Sequence, residues 1–176
     1  LSLAVGVAVV RALENCGASG VMLKWPNDIL HGHAKLGGIL VELHAEPDSA
    51  MAVVGIGLNL AAPAEDLPQP AAGLAEAGVV ADRHQVLAAI LAELAGVHEV
   101  FAARGFAALR EDWQRFHAWQ GLSVQILGEG AAVQGSCLGV DDDGSLLLDT
   151  AQGVERIFSG DVSLRRSVNG PAEGEP

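Results

Sequence analysis

The richest chemistry in the sequence lies in two short strings, KWPND at 24–28 and KLGG at 35–38, which set Lys24, Asp28 and Lys35 among apolar residues. An ammonium can neutralise charge developing on a phosphoryl oxygen, and a carboxylate can accept a proton or hold Mg²⁺. The string HGHA at 31–34 reads as a hairpin turn, which would bring Asp28 and Lys35 onto neighbouring strands, near enough to act on one ligand. The same spacing describes an ordinary surface ion pair, worth ~0–1 kcal/mol. Spacing alone does not choose between the two.

Glycines form the second group. Gly37–Gly38 and Gly55-Ile56-Gly57 are places where a ligand can approach the backbone unhindered, or where β-bulges sit. The GIG string is no dinucleotide fingerprint, because the third glycine is absent and a proline-rich stretch follows where a helix should start. Asn59 carries an amide that donates and accepts at once, as the edge of adenine requires, and it equally suits a turn or a strand end. His31 and His33 flank Gly32 without a further metal ligand at suitable spacing. Asp141–Asp143 with Gly144 reads as a solvated turn, since the downstream ligands of a calcium loop do not follow. Cys16 and Cys137 lie far apart, which argues against a disulfide framework or a zinc site and for a reducing cytoplasm.

The elements that must hold these residues can be read from periodicity. Residues 2–15 form an apolar helix of small side chains, with Ser2 as its cap and Gly17 as its stop. Short strands follow at 21–25, ended by Pro26, at 29–30 and at 39–43, and another lies within 51–60. The string AAPAEDLPQP has no period and reads as a loop. Asp82 with Gln85 resembles a capping box for a helix reaching about Arg104, with Val86, Ile90, Leu94, Val97 and Phe101 on one face and Gly105 as the break. Phe106, Leu109, Trp113 and Phe116 recur at helical spacing and read as core packing. After Gly121 come short strand-like pieces, LSVQIL, AAVQGSCLGV, SLLLDT and VERIF, which suggest a compact barrel of the SH3-like kind. The tail SVNGPAEGEP has the composition of disorder.

The bulk properties frame this reading. The 176 residues are 50% hydrophobic, enough for a real core. A net charge of −12 with only ten Lys and Arg argues against binding nucleic acid or an anionic membrane surface, so any nucleotide must be held locally. The apolar opening LSLAVGVAVV is interrupted by Arg11 and Glu14, well short of the roughly 20 residues of a membrane span.

Taken in order, KWPNDIL at 24–30, KLGGILVE at 35–42 and VVGIGLNL at 53–60 resemble the biotin protein ligase family. The loop from Ala61 resembles the family's adenylate-binding loop, and residues 122–166 resemble its small C-terminal domain. The resemblance implies an α+β protein: a partial mixed-sheet catalytic domain of the biotin/lipoate ligase type at 1–120, an SH3-like β-barrel at 121–167 and a disordered tail at 168–176. It implies that biotin is activated with ATP and Mg²⁺ to biotinyl-5′-AMP, releasing pyrophosphate, and that the biotinyl group passes to one lysine of a biotin carboxyl carrier domain.

Carried over by motif, Lys35 is the lysine expected at biotin and the α-phosphate, and Asp28 the carboxylate expected to orient or deprotonate the incoming lysine and to bind metal. Lys24 and Asn27 are expected near the nucleotide phosphates and Asn59 near adenine. Gly38, Leu40, Gly55 and Gly57 are expected to form the backbone and wall contacts to biotin. The family's Gly/Arg-rich loop and ureido-gripping residues lie upstream of the helix that starts here at Leu1, so the expectation is a fragment that neither forms the adenylate at a normal rate nor binds biotin tightly by itself. The resemblance leaves a homodimer open. Two rivals remain: a lipoate ligase or octanoyltransferase, and a degenerate, non-catalytic carrier-docking module.

Overall fold

The structure, a computed structural model, describes residues 1–46, 49–63, 69–127, 132–158 and 163–166. The chain divides into two compact units, Leu1–Ala118 and Trp119–Pro176.

In the first unit, α1 (Ser2–Asn15) is followed by β1 (Val21–Lys24), β2 (Asp28–His31), β3 (Ala34–Glu46) and β4 (Ser49–Leu58). After these come α2 (Arg83–Arg104), a 3₁₀ turn (Phe106–Leu109) and α3 (Arg110–Phe116). The strands form one sheet in the order β1-β2-β3-β4 with every neighbour antiparallel. Parallel pairing enters as two isolated bridges, Leu23 with His117 and Lys35 with Ala71.

The small side chains of α1 allow it to lie close on the sheet: a Cβ at Gly6 would stand 3.1 Å from the Leu23 methyls. Ten of its residues are buried. The cap is Leu1, and Ser2 instead sits in the first turn, its hydroxyl donating to the Pro26 carbonyl at 3.3 Å. Ser2 therefore ties the helix start to the KWPND turn and leaves the helix N–H groups uncapped by its side chain.

The capping box of α2 is present in full: the Asp82 carboxylate accepts from the His84 and Gln85 amides, and the Gln85 side chain accepts from the Asp82 amide. Gly105, at φ +68, ends the helix. Val86, Ile90 and Val97 are buried, Leu94 and Phe101 half-buried, while Leu87 and Leu91 stay exposed. By length and hydropathy α2 would suffice to cross a bilayer, yet its apolar stripe packs against α1 within the unit. Phe106, Leu109, Trp113 and Phe116 are all buried, as core residues.

The second unit contains β5 (Ser123–Leu127), β6 (Val133–Val140), β7 (Leu146–Thr150), β8 (Gly153–Ile157) and β9 (Ser163–Arg166). They form one antiparallel sheet in the order β8-β7-β6-β5-β9. Among the described residues no β8–β9 pairing closes this sheet into a barrel. Among the described residues, Val124, Ile126, Cys137, Val140, Leu146 and Leu148 are its buried apolar side chains. The DDDG turn joins β6 to β7 and is clamped: Asp143 accepts from the Ser145 amide and hydroxyl, and Arg156 of β8 pairs with both Asp143 (2.6 Å) and Asp141 (3.3 Å). Residues 168–176, expected to be disordered, lie outside the described residues.

Candidate active site

The hairpin of β2 and β3 creates the site. Register places Lys24 opposite Asp28 across β1–β2, and Asp28 opposite Gly38 across β2–β3. A regular ladder would then set Leu30 opposite Leu36. Instead the register shifts after Ile29, and Leu30 faces Lys35. Because side chains alternate between faces, this one-residue bulge turns Lys35 onto the face that carries Asp28, Lys24 and Gly38, and Leu36 is fully buried.

The carboxylate of Asp28 is held between the two lysines, its Oδ2 against the Lys24 ammonium and its Oδ1 against that of Lys35. The lysines differ sharply in access: the Lys24 side chain is 4% exposed and the Lys35 side chain 41%. Burial pushes the Asp28 carboxyl up, but hydrogen bonds and charge from both lysines outweigh it and hold the group below its ordinary value. Asp28 is therefore ionised at neutral pH. Both of its oxygens already face cations, and no group of three or more His, Cys, Asp or Glu suited to a metal occurs among the described residues. That arrangement does not fit a resident Mg²⁺ on Asp28.

Beyond Lys35, the same sheet face continues through glycines. Gly38 pairs with Gly57 and Leu40 with Gly55. A Cβ at Gly38 would meet only the end of the Lys35 side chain and the Asn27 carbonyl, at 3.6–3.7 Å. Leu40 is 62% exposed. Lys35, Gly38, Leu40, Gly55 and Gly57 thus make an open, largely side-chain-free strip with one ammonium at its end, suited to a flat apolar ligand bearing an anionic group. Gly37 does not belong to it: the Gly57 carbonyl oxygen fills the space where its Cβ would be.

The two asparagines are placed at the edges of this strip and spend their amides on backbone. Asn27 Nδ2 donates to the Ile39 carbonyl at 2.9 Å, and the Ile39 amide donates back to the Asn27 carbonyl at 2.9 Å. Asn59 Nδ2 donates to the carbonyls of Lys35 (3.2 Å) and Ala72 (3.0 Å). The Lys35 amide donates to Pro70 and the Ala72 amide to Lys35, so the backbone of the site lysine is held from both sides. These bonds form the neck of the segment that starts at Ala61, and Gly73 packs so tightly there that a Cβ would stand 2.5 Å from Ala61. Sequence reading missed this neck; Gly73, three residues past the end of the proline-rich stretch, was its only signal. Residues 64–68 of that segment lie outside the described residues.

On the opposite face of β4, Ile56, Leu58, Leu74, Val86, Ile90 and Leu94 help line an apolar cavity of roughly 480 Å³. It contains none of the lysine–carboxylate group.

Comparison with known proteins identifies the family in two steps. Residues 1–59 match the Biotin/lipoate A/B protein ligase family, which sets the class. Residues 121–165 match the Biotin protein ligase C terminal domain, and the chain belongs to the biotin protein ligase family. It is 32% identical over 171 residues to the biotin–[acetyl-CoA-carboxylase] ligase of Paracoccus denitrificans, covering 92% of this chain and 71% of that protein. It is also 32% identical over 169 residues to the bifunctional ligase/repressor BirA of Escherichia coli, covering 94% of this chain and 53% of that protein. The chain spans about half the length of the first curated relatives it matches. Among solved structures, the biotin protein ligase of Aquifex aeolicus in complex with biotin and ATP matches with a TM-score of 0.80 and 32% identity, over 94% of this chain and 71% of that one.

Proposed function

We propose that this chain serves the ATP-dependent attachment of biotin to a lysine of a biotin carboxyl carrier domain in the cytoplasm, with biotinyl-5′-AMP as intermediate. The observation that supports it best is the bulge that sets Lys35 beside Asp28 at the end of the glycine strip. In this reading the biotin carboxylate attacks the α-phosphorus of ATP and pyrophosphate leaves. The Lys35 ammonium offsets negative charge on the α-phosphoryl oxygens in that step and on the acyl oxygen in the next. Gly38, Gly55, Gly57 and Leu40 form the wall against biotin. The carrier lysine then attacks the acyl carbon and AMP departs.

Asp28 acts here as a hydrogen-bond acceptor that orients the incoming amine. A carboxylate whose basicity two ammoniums have lowered is a poor proton acceptor for an amine of pKa about 10.4. No step runs through a metal on Asp28. Asn59 contributes by fixing the backbone of Lys35 and the neck of the loop, and Asn27 by fixing the KWPND turn to β3. Biotin is favoured over lipoate because the relatives named above are biotin ligases. A docking module without catalysis has no use for an ammonium poised over an open glycine strip.

The reading is tested by incubating the purified full-length protein with ATP, Mg²⁺, biotin and a carrier domain, and following the carrier mass. A gain of one biotinyl group that requires ATP supports it. Labelling with lipoate in place of biotin, or carrier binding without labelling, overturns it.

A further inference from the structure

The unequal exposure of the two lysines carries an inference that rests on the proposed ligase reading and deepens it. We propose that Lys24 is a positioning residue: a fixed, buried counter-ion that keeps Asp28 neutralised so that Lys35 is free to leave it for the phosphoryl group.

At rest the carboxylate holds both ammoniums. Lys35 sits at the open end of the glycine strip, with a side chain 41% exposed, its Nζ held by Asp28 Oδ1 and lying beside Gly38, which has no side chain to obstruct a turn toward a ligand. Lys24 is 4% exposed, at the end of β1 and directly across from Asp28. Turning its ammonium to solvent or to a nucleotide would mean pulling it out of the packed sheet.

When Lys35 moves to an anionic ligand, Lys24 and Asp28 remain as a neutral pair. Without Lys24 the same movement would strand a largely buried carboxylate with no partner, and Lys35 would be held back by that cost. Lys24 therefore acts on the reaction only through Lys35. The expectation that Lys24 meets the nucleotide phosphates directly is set aside.

The test uses K24M, K35M, D28N and K24M/D28N, each made in the full-length protein, with two measurements. The first is biotin-dependent ATP–pyrophosphate exchange. K24M should lower kcat on the order of 10²-fold with little change in the KM for biotin. Adding D28N to K24M should recover at least about tenfold of that loss, because no carboxylate then detains Lys35. A merely structural role would not give this relief. The second is thermal melting: K24M should melt well below wild type, K35M close to it, and K24M/D28N above K24M.

The inference is overturned if K24M exchanges at the wild-type rate, if the double variant is no better than K24M, or if K35M is as destabilised as K24M. Absence of exchange in the wild-type protein would instead count against the ligase reading. The melting series would still decide which lysine is the fixed partner.

Discussion

Gly37 on β3 stands so close to Gly57 on β4 that a Cβ at position 37 would lie 2.2 Å from the Gly57 carbonyl oxygen. The obstacle is backbone within a strand pair, which cannot move aside without breaking the ladder. G37A is expected to cost about 3 kcal/mol or to prevent folding, measured by chemical denaturation. G38A, one residue on, meets only the flexible end of Lys35 and the Asn27 carbonyl at ordinary contact distances, and should leave stability nearly unchanged. Equal losses for the two would contradict the assignment of the two glycines to opposite faces.

Lys35 is partly exposed, and Lys24 also faces Asp28, so the fold does not depend on Lys35. K35M is expected to lower adenylate formation by about 10²- to 10³-fold, the size seen when one donor to a developing oxyanion is removed. Its melting temperature should stay near that of wild type. A large fall in stability with activity per folded molecule preserved would show that Lys35 serves the fold.

Acid should expose the contribution of Asp28. Its folded value lies below 3.8, so the stability it contributes is fully present above that pH and is lost as pH falls through the lower, folded value. The stability gap between wild type and D28N is therefore expected to be constant from neutral pH down to about pH 5 and to shrink below about pH 4. A gap that instead widens on acidification would mean that burial, and not the two lysines, dominates at this carboxyl.

Asn59 offers a test of its role as a backbone clasp. N59D replaces the amide that donates to the Lys35 and Ala72 carbonyls with a carboxylate facing both. It should cost about 2–3 kcal/mol, more than N59A, because two carbonyls then confront an acceptor. Comparing denaturation midpoints of the two variants settles the order. If both are as stable as wild type, Asn59 is free to serve adenine alone.

Much of this was legible in the sequence because it rests on local rules. The capping box and Gly105 bound α2 correctly, the HGHA turn put Asp28 and Lys35 on adjacent strands, and the stripe from Phe106 to Phe116 proved to be core. The features that escaped are tertiary. Nothing in the alternation of KWPND shows that Lys24 is buried while Lys35 is not, because a register shift after Ile29 sets which face Lys35 occupies. Ser2 has the residue type of a cap but is recruited by the Pro26 carbonyl, 24 positions away. Asn59 finds its partner Ala72 beyond a proline-rich segment with no period, and β9 was not among the strand-like strings. Gly37 and Gly38 look equivalent in sequence, and only the pairing with β4 separates the one that is filled from the one that is open.

The lysine–carboxylate group has a kinetic consequence as well. Two ammoniums around one carboxylate leave a surplus positive charge at the site of a chain whose net charge is −12. A polyphosphate approaching from bulk water is thus repelled for most of its path and attracted only at the end. Dissolved ions damp the far field, over about 8 Å at physiological ionic strength, more than they damp a partly buried contact. Nucleotide capture by this molecule should accelerate as salt is raised, where proteins that steer their anionic ligands slow down.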